Sequence, residues 1–370
     1  MDVVASPALP RHASLTWRRL SANGLVLLLL LALLLLGLRL ALPYLVKSEV
    51  NSRLDKIGEY HGQVGDIDIQ LWRGAYSIND LLITKRSGKV PVPFVNAPLV
   101  DISLSWRDIF NGAIVGEVVF ESPELNFVDG VGAADGQSGK GVDWRKTLED
   151  LVPIKLSEVR VNDGTVAFRA FATEPPVDIE ATNFDAVIVN LTNVRGEGGR
   201  RVAKFEATAN VLGKAPFASH ASFDPFGTLD DFDFDVRVLK IEAVRLNPLL
   251  QAYANLDVAS GRGDFVMELE ARDGALKGYA KPLFQDLEVL NWEQDVKKQK
   301  DNPLRLAWEA MASGVMAIFK NHPSDQFATR IPISGSLKDP KLNRWEALVA
   351  ILHNTMVEAF TPHLEKSPRR

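Results

Sequence analysis

The chain has 370 residues, 46% hydrophobic and 24% charged, with a formal net charge of -5 and no cysteine. That balance suits a folded body with a sizeable core and leaves no basic excess to hold nucleic-acid phosphates, so nucleic acid is not an expected partner. The absence of cysteine removes disulfides, thiolate metal sites and cysteine nucleophiles together.

Residues 1–19 hold Pro7, Pro10, Arg11, Arg18 and Arg19 without apolar periodicity and are expected as a short cytoplasmic tail. Residues 20–46 contain an unbroken run of Leu, Val, Ala and Gly from Leu25 to Leu38. A bilayer core needs about 20 mostly apolar residues at ~1.5 Å rise each, so this stretch is expected as a transmembrane anchor. Arg39 and Tyr44 stand near its end, where a long or amphipathic side chain reaches the headgroups. A cleavable secretory signal is the alternative, because a basic region precedes a Leu-rich core. Against it, Arg39 stands where cleavage after Ala41 wants a small residue.

Residues 47–128 are expected as an N-terminal β region led in by a short helix, with Val50, Leu54 and Ile57 at helical spacing. Ile67, Ile69 and Leu71 alternate with polar residues, and Ile102, Leu104 and Trp106 do the same, as half-buried strands would. Glu117–Phe127 lays on Glu158–Phe168 without a gap, with Ser122-Pro123 and Asp163-Gly164 as the breaks, and reads as a repeated hairpin. Residues 129–142, rich in Gly, Ala, Asp and Ser, read as a flexible connector. Their likeness to a phosphate-cradling loop fails at Ala134, where the first glycine is required.

Residues 143–341 are expected as a β-rich region. Asp143–Leu151 reads as a short helix, and strands are expected at Ala186–Leu191, Lys204–Val211, Phe217–Phe223, Asp231–Val238 and Phe265–Ala271. Further helices are expected near Val244–Tyr253 and Leu304–Phe319. Residues 342–361 form an amphipathic C-terminal helix whose stripe is Trp345, Leu348, Leu352, Met356 and Phe360, and 362–370 are a tail. Strands far outnumber helices and most are joined by tight turns, which predicts a mainly β, mainly antiparallel protein.

No catalytic signature is present: the six histidines are scattered, and neither His-Glu-x-x-His nor Gly-x-Ser-x-Gly occurs. Asp231, Asp233 and Asp235 would sit about 7 Å apart on a solvated strand face opposite phenylalanines, and Gly261–Asp264 reads as a hairpin tip. No enzyme, cofactor or metal site is therefore expected. What recurs is strand after strand with one apolar face. Closed on itself such a sheet makes a dry core; curled open, it lines a groove that shelters hydrocarbon at about 0.8 kcal/mol per buried CH₂. The candidate lining is Ile67, Ile69, Ile102, Leu104, Val159, Val161, Val166, Phe168, Phe205, Phe232, Phe234, Phe265 and Met267.

Three segments carry a family pattern: Leu71-Trp72-Arg73-Gly74-Ala75-Tyr76; Gly116-Glu117-Val118 before Ser122-Pro123-Glu124-Leu125-Asn126-Phe127; and Gly278-Tyr279-Ala280-Lys281-Pro282-Leu283-Phe284. With the anchor they resemble the AsmA-like envelope proteins, in the branch known as domain of unknown function 748, from the anchor to about Pro362. The resemblance implies an elongated, curled, taco-like β trough with a few short helices behind one N-terminal transmembrane helix. It also implies a single-pass bacterial inner-membrane protein with a periplasmic body, whose partners would be phospholipid acyl chains, the inner membrane and envelope proteins. The alternative expectation is a non-enzymatic envelope scaffold with a closed β core.

Overall fold

The computed structural model describes residues 14–70, 74–104, 115–132, 134–139, 142, 155–191, 203–224, 230–254, 256–292, 326–328, 330–338, 347–348 and 351–352. The expected helices at 143–151 and 304–319 lie outside these residues, as do Trp345, Met356 and Phe360 of the C-terminal stripe.

One helix, α1 (Ser14–Leu54), joins the expected anchor and the expected lead-in helix without interruption, carrying Pro43 inside it. Within its span Gly24–Leu54 an 18-residue stretch reaches a mean hydropathy of 2.9, long and apolar enough to cross a membrane. Leucines 25 to 36 are exposed, whereas Val50 and Leu54 are buried against the first strands. Asn51 accepts a hydrogen bond from the Val64 amide at 2.8 Å, and the Lys47 ammonium donates to the Gly65 carbonyl. The helix is therefore apolar toward its surroundings at one end and part of the protein core at the other.

The strands are β1 (Tyr60–Gln63), β2 (Asp66–Gln70), β3 (Ala75–Lys85), β4 (Val95–Leu104), β5 (Val115–Glu121), β6 (Glu124–Asp129) and β7 (Lys155–Ala170). They continue with β8 (Val177–Val189), β9 (Ala203–Val211), β10 (Ala215–Phe223) and β11 (Phe232–Glu242). After a 3-10 turn at Ala243–Leu246 and helix α2 (Asn247–Ala254) come β12 (Leu256–Arg272), β13 (Ala275–Trp292), β14 (Gln326–Ala328) and β15 (Ile331–Ser336). All belong to a single 15-stranded sheet ordered β1-β3-β4-β5-β7-β8-β9-β10-β11-β12-β13-β14, with β2 beside β3, β6 beside β4 and β7, and β15 beside β13. Short consecutive strands share positions, so the sheet is twelve strands wide, roughly 50 Å at ~4.8 Å per step. It crosses the expected boundary at 129–142 without a break.

Two expectations are corrected here. Glu117–Phe127 and Glu158–Phe168 are not hairpins. They are neighbouring parallel strands whose register is the sequence overlay itself, from Glu117 opposite Glu158 to Phe127 opposite Phe168. Ser122 (φ 48) and Asp163 (φ 50) are left-handed residues that kink a strand which then continues. The sheet is thus mixed, with β5 and β6 both parallel to β7. Gly261–Asp264 is likewise no hairpin tip but the interior of β12, where Gly263 faces Phe284 so closely that a Cβ would lie 2.3 Å from its ring. The β12–β13 turn is Asp273-Gly274 instead.

Left-handed residues recur at neighbouring register levels: Asp80 in β3, Ser122, Asp163, Asn183 in β8, Lys240 in β11 and Asp286 in β13. Asp and Asn tolerate this conformation better than most residues. The Asn183 amide donates to Asp163 at 3.0 Å, and the Lys240 N–H donates to Asp264 at 2.7 Å. Register shifts fall at this seam in β7, β8, β11 and β12, and extra residues inside strands bend them and increase their twist, so the sheet bends along it.

Candidate functional site

Cross-strand partners share a face and stand about 5 Å apart, so the registers define which side chains line the apolar face of the sheet. One row begins Ile69, Tyr76, Ile102, Val118, Val159 and Ile188 and continues through Phe205, Ala221, Phe234, Leu269, Gly278 and Ile333. The parallel row beside it runs Ile67, Ile78, Val100, Phe120, Val161 and Ala186, then Ala207, Ser219, Val236, Met267, Ala280 and Ile331. Neither row contains a charged residue. The Ser219 hydroxyl, the one aliphatic hydroxyl in them, donates to the Asp235 carbonyl at 2.8 Å. Burial pushes the Tyr76 phenol up to about 12.

The opposite face is polar, as the alternation predicted. His220 pairs with Asp235 at 2.9 Å and Arg272 with Asp233 at 2.8 Å, an attachment that raises the Arg272 pKa further. Among the described residues no group of three or more His, Asp or Glu is placed to hold a metal. A recess of about 760 Å³ between β8 and the 3-10 turn, lined by Asp178, Glu180, Leu212, Val244 and Arg245, is charged at its rim. Arg169 holds Asp178 and Glu180 there at 3.1 and 2.7 Å, so this recess lacks the apolar character of the rows.

The lining is not uniform along its length. At the α1 end a core closes over it: Ile67, Ile102 and Val118 are 1–2% exposed in one cluster with Val50, Leu54 and Ile57, with Ile69 and Val159 packed alongside. At the far end Leu269, Ile331 and Ile333 are buried beneath Leu337 and Ala347, with Leu348, Ile351 and Leu352 of the C-terminal segment packed on them. Phe232, Phe234, Phe265 and Met267 border that far core. A third core joins Phe168 to Leu249, Leu250 and Tyr253 of α2, where the Tyr253 hydroxyl donates to Asp129 at 2.8 Å. In between, Val161, Ile188, Phe205 and Phe217 are half-buried and belong to none of the three cores.

Of the sequence candidates, Ile67, Ile102 and Phe168 therefore lie inside packed cores. Ile69, Val159, Phe232, Phe234, Phe265 and Met267 border cores, and Leu104, Val161, Val166 and Phe205 are half-buried lining. Sequence reading passed over Ile188, Phe217 and Ala221. Their signal was present in the alternation of β8 and β10, diluted by the alanines between them.

The segment expected as a flexible connector runs along the sheet rather than away from it. Val128 and Gln137 form an antiparallel bridge, Gln137 is 1% exposed, and the Gly139 N–H donates to the Tyr60 hydroxyl at 3.0 Å. Scans of this chain against protein-family models and against curated proteins find no match.

Proposed function

We propose that this chain is a membrane-anchored, non-enzymatic lipid-handling protein of the bacterial envelope, which shelters phospholipid acyl chains along the apolar face of its trough. The observation that carries the reading is the pair of uncharged rows, which pass through strands β7 to β10 with Val161, Ile188, Phe205 and Ala221 half-buried, Ala207 and Ser219 buried, and the Ser219 hydroxyl already bonded. Such a floor rewards hydrocarbon and penalises polar groups, which would lose their water without gaining a partner. The motif resemblance and the apolar helix α1 agree with an inner-membrane protein whose body lies in the periplasm. The packed cores at the two ends favour the second reading, a scaffold for envelope partners, more than a groove of uniform depth would.

The test places a photoreactive phenylalanine analogue at Phe205 or at its outward-facing neighbour Glu206, in the full chain in native membranes. Lipid adducts at 205 and none at 206 are expected. Protein adducts alone, at both positions, would favour the scaffold.

A further inference from the structure

We infer that the trough is a closed-ended berth for the acyl chains of one phospholipid rather than a conduit along which lipids pass. The inference rests on the lipid-handling reading and concerns how much lipid the site takes and whether it leads anywhere. Three observations carry it.

The first is closure. A lipid moving along the row from the membrane side would have to displace Ile102 and Val118, which are 2% and 1% exposed in the core that also holds Leu54, itself 0% exposed. At the other end Ile333, 2% exposed, is held with Leu337 and Ala347 in the far core. Interiors packed to crystal-like density do not admit a chain without breaking many contacts at once.

The second is length. In the first row the lining between the core residues Val118 and Leu269 runs from Val159 in β7 to Phe234 in β11, which is four inter-strand steps or roughly 19 Å at ~4.8 Å each; in the parallel row it runs from Phe120 to Met267, six steps or roughly 29 Å. One leaflet of a bilayer is about 15 Å of hydrocarbon, the reach of a single acyl chain. The floor is thus about one to two acyl-chain lengths long, the size of a single phospholipid's two chains.

The third is side-chain size. Ala186, Ala207 and Ala221 occupy the rows in β8 to β10, while the same rows carry Ile78, Val100 and Phe120 at the α1 end. Along the Ile67 row the floor is therefore lower in β8 and β9 than at the α1 end.

The test uses the full chain in native membranes, with the photoreactive residue placed at Ile69, Ile188, Phe205 or Ile333. Lipid adducts are expected at 188 and 205 and at neither end. Because a change at Ile333 disturbs a core, a second measurement is the phospholipid count per chain by native mass spectrometry, compared with Ala221→Trp, which fills the floor. The variant should carry one lipid fewer than the unsubstituted protein. Adducts at all four positions, or a loss of several lipids, would overturn the closed berth and leave the lipid reading standing. No lipid adduct at any position, together with equal lipid counts, would overturn both.

Discussion

The α1 end of the sheet and its middle strands are built from the same alternating pattern, yet they end in different physical states. At the α1 end, Ile102 belongs to one core with Val50, Leu54 and Ile57, and the apolar face is buried. In the middle, Ile188 occupies the same row and stays half-buried. Alternation therefore specifies which face of a strand is apolar; whether that face becomes core or lining is decided by what the chain lays over it.

The sharpest way to break this contrast is to remove the same atoms from both places. Ile102→Ala should cost about 2–5 kcal/mol of stability, the range for a fully buried isoleucine, while Ile188→Ala should cost less than half of whatever its counterpart costs. Denaturant titration of the two variants decides it, and equal losses would mean that the middle is packed like the end. Next in size is Tyr253→Phe, which strips the buried Asp129 carboxylate of a donor and should cost about 1–3 kcal/mol. A loss near zero would show that α2 is held by packing alone.

Two titrations sharpen the contrast further. Tyr76 is protonated more tightly in the fold than when unfolded, its pKa raised from 10.0 to about 12 by burial. Its contribution is therefore intact below pH 10 and is lost as the pH climbs toward 12. Tyr76→Phe should abolish that part of the alkaline destabilisation, read as the change in melting temperature between pH 9 and pH 11 (values set by the ordinary tyrosine pKa of ~10). The smallest effect belongs to Asp55, whose pKa is lowered chiefly by its hydrogen bond to His61 and then by Arg86. That exposed pair adds stability above the ordinary carboxylate pKa of ~4, and the stability fades as the pH falls below it. His61→Ala should move the Asp55 carboxyl resonance midpoint upward in an NMR titration; an unmoved midpoint would remove His61 as the cause.

How much of this could be read in the sequence follows from the same distinction. Period-two alternation placed β9, β10 and β11 within longer strands correctly, because one face meets water and the other does not. The run from Leu25 to Leu38 announced its helix, though not that the helix would continue unbroken into the core at Leu54. Register was harder. Ser122-Pro123 and Asp163-Gly164 carry turn chemistry, and a left-handed residue serves a hairpin tip and a strand kink equally well, so the parallel pairing of two similar segments looked like two hairpins. The candidate lining mixed core with half-buried face for a related reason: Ile67 and Phe205 look alike along the chain, and only the packing of α1 on β2 tells them apart.

The order of the strands has a consequence in time. From β7 to β13 every strand lies beside the one made just before it, so each addition closes only a short loop and incurs little chain entropy. The exception is the parallel step from β5 and β6 to β7, which waits for the intervening crossover to be finished. A chain emerging from its N-terminus can therefore lay down β1 to β6 against the end of α1, pause at that step, and then lengthen the sheet strand by strand, with one growing edge open at any moment.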